Sequence, residues 1–261
     1  MIATAADGTR LHYIVDGRGA PIVLVGGKTS NIDGAWWRYI PALASRYKVI
    51  AFDNRGAGQS DKPKAPYTAQ MMADDALTVL HAAGEQSAHW FGISLGGMIL
   101  EQLALDHPET VRSLILGATS CGGRGPAAGA SPLPAALADS PLRRYANLYE
   151  PNFILEHADW VADDASRFGK MPLHAIVCQD QAVARHDVCG RLGEIRQPVL
   201  VLHGRQDQMV AVNRGEELAA RLPNARLRIL DPAGHQFHSE QFRTVLQLVT
   251  DFVDEIERQR R

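Results

Sequence analysis

Along the chain, short apolar runs without polar interruption alternate with stretches in which apolar residues recur about every 3.6 positions. Ile22-Val23-Leu24-Val25, Lys48-Val49-Ile50-Ala51-Phe52, Ala88-His89-Trp90-Phe91, Ser113-Leu114-Ile115-Leu116-Gly117 and Pro198-Val199-Leu200-Val201-Leu202-His203 read as buried strands. Leu11-Tyr13-Val15 and Leu227-Arg228-Ile229-Leu230 alternate as half-buried strands do, the first as an edge strand. Between them, 35–45 predicts a first helix, and 68–83 places Met72, Ala76, Val79, Leu80 and Ala83 on one face and stops at Gly84. A further helix is predicted over 97–107 and a long amphipathic closing helix over 239–256. Strands separated by helices predict an α/β protein.

The pattern breaks once. Gly122, Gly123, Gly125, Pro126, Gly129, Pro132 and Pro134 crowd one stretch, and short apolar helical patterns follow to about Leu192. The expected organisation is one core domain from 1–121 and 193–261, with a helical insertion over 122–192. The 261 residues suffice for such a domain.

Candidate chemistry lies where strands end. Gly92-Ile93-Ser94-Leu95-Gly96 joins a strand to a helix, and so sharp a turn needs residues without bulk two positions either side of the serine. The turn would expose the Ser94 hydroxyl and leave the Leu95 amide, in the first helical turn, free to meet an oxyanion. A serine needs a base and an acid to orient it. Asp207 lies three residues past Gly204, beyond one predicted strand, and His235 stands in the turn Asp231-Pro232-Ala233-Gly234-His235, beyond the next.

The order Ser94, Asp207, His235 resembles that of the α/β-hydrolase fold family. Ile22-Val23-Leu24-Val25-Gly26-Gly27 is similar to its strand and oxyanion loop, and Asp53-Asn54-Arg55-Gly56-Ala57-Gly58-Gln59-Ser60 to its D-x-R-G-x-G-x-S segment. The resemblance covers nearly the whole chain and is strongest to small serine carboxylesterases and enol-lactonases. It implies a mostly parallel eight-stranded sheet with helices on both faces, an inserted cap, and a Ser-Asp-His triad at the strands' C-terminal ends. It also implies a second oxyanion amide at Lys28, although Gly26-Gly27 stands where many members carry His-Gly. No cofactor is implied.

Other patterns carry less. Gly27-Lys28-Thr29 ends like a phosphate-binding loop, but Ile22 occupies the position of its first glycine. Gly122-Gly123-Arg124-Gly125 lacks dinucleotide-binding spacing and reads as a hinge. Asp53 and Arg55 are expected to tie loops together, Arg55 through backbone carbonyls. Of the ten histidines, His238 competes with His235 as the base but lies at the start of the next helix; His203 is expected to support the acid loop. No metal-ligand spacing occurs, so no metal is expected. Cys121, Cys178 and Cys189 are odd in number and widely spaced, which predicts free thiols. A net charge of −2 with mixed signs offers no footprint for nucleic acid or an anionic membrane. Without a leader pattern or an apolar span of roughly 18 residues, the expected location is cytoplasmic.

The pocket is expected to draw on Trp36, Trp37, Tyr145 and Trp160, with Arg124, Arg143 and Arg144 as cap cations able to meet a carboxylate. The reaction expected is hydrolysis of a small-molecule carboxylic ester or lactone through an acyl-enzyme. A C–C bond hydrolase or an acyltransferase would use the same residues, and a non-catalytic ligand-binding protein could keep the scaffold.

Overall fold

The structure, a computed structural model, describes residues 1–122, 135–138 and 140–260. Eight strands form one sheet: β1 (Ile2–Thr4), β2 (Arg10–Asp16), β3 (Pro21–Val25), β4 (Lys48–Phe52), β5 (Ala88–Ile93), β6 (Val111–Gly117), β7 (Val199–Gly204) and β8 (Ala225–Leu230). Their spatial order is β1-β2-β4-β3-β5-β6-β7-β8. The pairs β1/β2 and β2/β4 are antiparallel and every other pair is parallel. The expected edge strand, β2, is thus covered by β1, three residues too short to show a pattern.

The helices are α1 (Ile32–Trp36), α2 (Tyr39–Ala44), α3 (Ala69–Ala82), α4 (Leu95–Asp106), α5 (Ala135–Ala138), α6 (Pro151–Glu156), α7 (Ala158–Arg167), α8 (Leu173–Arg185), α9 (Val212–Arg221), α10 (Phe237–Glu240) and α11 (Phe242–Gln259). Each central strand is apolar on both faces because each face is covered. Val23, Val25, Ile50, Trp90, Leu114 and Val201 face one core with residues of α3, α4 and α9. Ile22, Leu24, Val49, Phe91, Ile115 and Leu202 face a second core with α1, α2 and α11. The period-2 alternation is therefore present in the packing although the sequence reads as unbroken hydrophobic runs.

Two predicted helices are interrupted. Residues 35–45 divide at Trp37 and Arg38 into α1 and α2, and the closing helix divides at Gln241 into α10 and α11. Thr68 caps α3 by accepting the Met71 amide, and Gly84 follows the helix at φ +81, the left-handed conformation a helix end favours.

Between β6 and β7 the chain runs through α5, α6, α7 and α8, and Leu137, Ala146, Tyr149, Ile154 and Val161 form a small cluster of their own. The ends of this segment are joined. Cys121 and Cys189 form a disulfide with Cα atoms 4.9 Å apart, the Val188 amide donates to the Cys121 carbonyl at 2.8 Å, and Gly122 bridges Asp187. This corrects the expectation of three free thiols: only Cys178 is free, and it is buried. A separation of 68 residues along the chain concealed a pairing that the return of the segment to the sheet creates. Among the described residues, no helix is long and apolar enough to cross a membrane.

Candidate active site

Ser94 is the last residue before α4, at φ 55 and ψ −121, a conformation that a side chain adopts only under constraint. The constraints are visible. Its amide donates to the Gly117 carbonyl at the end of β6 (2.8 Å), and its carbonyl accepts from Thr119 Oγ1 (2.8 Å) and the Gly97 amide (2.9 Å). The glycines at either side are required by space. A Cβ on Gly92 would stand 2.5 Å from the Gly96 carbonyl oxygen, and one on Gly96 would stand 2.2 Å from that of Val25. That second approach brings the end of β3 against the turn, where a Cβ on Gly27 would lie 3.3 Å from Ser94 Cβ. The Gly26–Gly27–Lys28 loop accordingly lies beside the serine, with Leu95 opening α4 on its other side.

That loop is held from two directions. Asn54 Nδ2 donates to the Gly26 carbonyl (2.9 Å), and Gln179 Oε1, from α8, accepts the Thr29 amide (2.9 Å) while its Nε2 donates to the Arg55 carbonyl (3.0 Å). Thr29 has φ 62, so the fully buried Gln179 braces a strained residue next to Lys28. Sequence reasoning missed Gln179 and Thr119; single polar residues in or near predicted apolar elements give no signal of what they will meet. Asp53 and Arg55 do tie segments together. Asp53 accepts the Ile32 and Gln59 amides (both 2.8 Å), whereas Arg55 pairs with Asp75 and Asp7 rather than with the expected carbonyls.

Asp207 is fully buried in the loop after β7. Its Oδ1 accepts the Met209 and Val210 amides (both 2.8 Å), and its Oδ2 lies 2.8 Å from His235 Nδ1. Burial pushes its carboxyl up, but the charge of His235 and hydrogen bonds from His203 and His235 outweigh that and hold it well below the usual carboxylate range. His203 supports this loop as expected, with Nε2 2.8 Å from the Val210 carbonyl.

The turn carrying His235 is anchored in turn. Glu240, in α10, accepts the Gly234 amide through both oxygens (3.0 and 3.2 Å) and the Glu150 amide (3.1 Å), and the Gln236 amide donates to the Leu148 carbonyl (2.7 Å). The β6–β7 segment thus packs directly on the histidine turn. A second fastening centres on buried Asp164 of α7, which bonds Arg38, Ser239 Oγ, Trp37 Nε1 (3.2 Å) and Tyr149 Oη (3.1 Å).

Ser94 and His235 border one cavity of about 390 Å³, whose wall includes Lys28, Tyr145, Phe168 and Met209. Of the predicted pocket residues only Tyr145 lies in this wall. Trp36 is fully buried against Phe91, ring centroids 5.0 Å apart. Trp37 and Trp160 enclose the Arg38 guanidinium, 3.9 and 3.7 Å from the ring centres. Trp37 and Trp160, expected to line the pocket, instead fasten α7 to the core, because a half-buried arginine offers them a cation to stack on. Arg144 lies over Tyr145 (4.9 Å), and neither it nor Arg143 borders the cavity. Arg124 lies outside the described residues.

The description "alpha/beta hydrolase fold" matches residues 20–171 and 176–242. The chain is 31% identical over 263 residues to a protein named putative carbamate hydrolase RutD from Azorhizobium caulinodans, covering 95% of this chain and 96% of that one. It is 24% identical to 3-oxoadipate enol-lactonase 1 from Acinetobacter baylyi, covering 98% of both. A solved structure described as Est816, an N-acyl homoserine lactone degrading enzyme, superposes with a TM-score of 0.83 at 28% identity over 97% of this chain and all of that one. The fold, the strand order and these matches together make the chain a member of the α/β-hydrolase family and a hydrolase.

Proposed function

We propose that the protein is a serine hydrolase that cleaves a small carboxylic ester or lactone through an acyl-enzyme. The observation that carries this reading is the opening of Ser94, held at φ 55, and of His235, fastened by Nδ1 to Asp207 at 2.8 Å, into one cavity. With Nδ1–H donated to Asp207, His235 Nε2 is the nitrogen left to accept the serine proton. Ser94 Oγ attacks the acyl carbon, the carbonyl oxygen becomes an oxyanion held by the Leu95 and Lys28 amides, and protonated His235 delivers its proton to the leaving alkoxide. Water then attacks the acyl-enzyme by the same route in reverse. No step calls for a cofactor. The segment over 122–192 serves as the cap, and the relative named for carbamate hydrolysis places carbamates, which present the same carbonyl to a serine, among the substrates to be tried. The Cys121–Cys189 disulfide weighs toward an oxidising compartment and against the cytoplasmic expectation.

The test is a fluorophosphonate probe together with a panel of esters, lactones and carbamates. Labelling of the protein at Ser94 and turnover of an ester or lactone are expected. Absence of labelling with no turnover anywhere in the panel would favour a ligand-binding protein on this scaffold, and turnover of carbamates alone would replace the ester reading.

A further inference from the structure

The cavity that holds Ser94 and His235 has a second histidine in its wall. His238 is 5% exposed and borders both this cavity and a smaller one of about 10 Å³, room for no more than a single water, beside Asp164. Its ring is fixed among Trp36, Tyr39 and Phe237, with centroid separations of 6.0, 6.2 and 5.6 Å, and its backbone carbonyl accepts the Tyr39 hydroxyl at 2.9 Å. Such packing holds the imidazole in one orientation. Its Nδ1 is enclosed and has no hydrogen-bond partner among the described residues, so the ring can meet a ligand in the cavity only through Nε2.

The charged groups near the ring leave it neutral. Burial pushes its pKa down to about 3; Asp164 draws it upward, while His235 and Arg38 push it further down. Asp164 is itself occupied by Arg38, Ser239, Tyr149 and Trp37. A neutral imidazole presents one N–H donor and one acceptor nitrogen, and an enclosed N–H without a partner is rarer than an enclosed acceptor, which places the proton on Nε2, where an oxygen of the ligand can accept it. The lysine and the carboxylate of the described cavity wall are already paired, which leaves no free charge for a charged substrate to meet. Lys28 and Asp180 pair with each other at 2.7 Å, and Ile93, Met98, Leu148 and Val183 are apolar.

We propose that His238 recognises a neutral hydrogen-bond acceptor, an ether, carbonyl or amide oxygen, on the acyl or alcohol portion of the substrate. This rests on the hydrolase reading above and names the substrate class that the site selects. His238 contributes a directed hydrogen bond in a wall that also presents the apolar Ile93, Met98, Leu148 and Val183, so it discriminates between substrates of equal shape that differ by one oxygen.

Two matched pairs of esters test this in the full chain: methyl 3-methoxypropanoate against methyl pentanoate, and 2-methoxyethyl acetate against butyl acetate. Hydrolysis is followed by titration of released acid. In at least one pair the oxygen-containing ester should be preferred by the wild type after division by each ester's hydroxide-catalysed rate. In that pair His238→Phe should lower the ratio of kcat/KM values about tenfold, the size of one lost hydrogen bond, and His238→Gln should restore part of it. The wild-type ratios are read without any variant, so misfolding of His238→Phe leaves the proposal open to refutation. Ratios unaltered by His238→Phe in both pairs, or no wild-type preference in either, would overturn it. Monomethyl succinate turned over better than either ether would also overturn it, because the preferred group would then be an anion. A wild type inert toward all five esters and unlabelled by the fluorophosphonate would remove the hydrolase reading itself.

Discussion

Glu240 accepts the Gly234 amide at 3.0 Å, so the residue preceding His235 is held by a carboxyl group from the following helix. The same carboxyl group accepts the Glu150 amide at the start of α6. One buried group therefore fastens both the histidine turn and the β6–β7 segment above it.

Burial pushes the Glu240 carboxyl up from its ordinary 4.5 to about 8, with the Glu150 and Gly234 amides opposing and the charges of Glu150 and Asp207 reinforcing the rise. A carboxyl whose pKa is raised by folding binds its proton more tightly in the folded state. Its contribution to stability is complete below the unfolded value and is lost as pH rises through the folded one. Glu240→Gln keeps a side-chain oxygen for the Gly234 amide and removes the titration. Its melting temperature relative to wild type should rise between pH 5 and pH 8.5. A difference that stays constant over that range would show that Glu240 does not titrate there.

Ser94→Ala should abolish fluorophosphonate labelling and reduce turnover to background while the far-ultraviolet circular dichroism is retained. The bonds that hold the turn run through the Ser94 backbone and are left in place by the substitution. Labelling of the alanine variant at another serine would disprove the assignment.

His235→Ala should eliminate turnover, whereas His238→Gln should keep measurable turnover, because only the base that meets Ser94 has to accept its proton. Asp207→Asn should bind substrate yet lose kcat by a factor on the order of 10⁴, the loss seen when a serine protease's histidine is no longer held in the productive tautomer. A change in kcat of less than tenfold in Asp207→Asn would show that the 2.8 Å contact with His235 is not used in the reaction.

The denatured protein should present one reactive thiol, Cys178, without reductant and three after reduction. Cys189→Ser should lower the stability by about 2–5 kcal/mol, through the freedom returned to the unfolded chain when a long loop is no longer closed. Three thiols titrated without reductant would show that the bridge is not formed.

Tyr145→Ala should alter relative kcat/KM among esters of different acyl size by up to ~1–3 kcal/mol, since Tyr145 borders the cavity. Trp160→Ala should lower every substrate in similar proportion. Its indole stacks on Arg38 and donates to Ser239 Oγ at 2.8 Å, so its loss loosens the attachment of α7 without reshaping the wall. Opposite behaviour of the two variants would reverse these assignments.

The sequence alone determined the strands of the sheet interior and the residues at their ends. Unbroken apolar runs have no stable place except between two covered faces, and Gly92 must clear the Gly96 carbonyl of its own turn, a local reason, whereas the reason for Gly96 itself is the Val25 carbonyl of β3. Asp207 and His235 were legible for the same reason, each lying in a short loop beyond a strand. What sequence could not decide depends on residues far apart in the chain. Trp37 and Trp160 read as pocket aromatics until Arg38 was found between them, and Cys121 and Cys189 read as separate thiols until the segment's return placed them 4.9 Å apart at the Cα atoms. Gln179, Thr119, Glu240 and Asp164 carry no local signature, because the role of a buried polar side chain is set by the partner that tertiary packing brings to it.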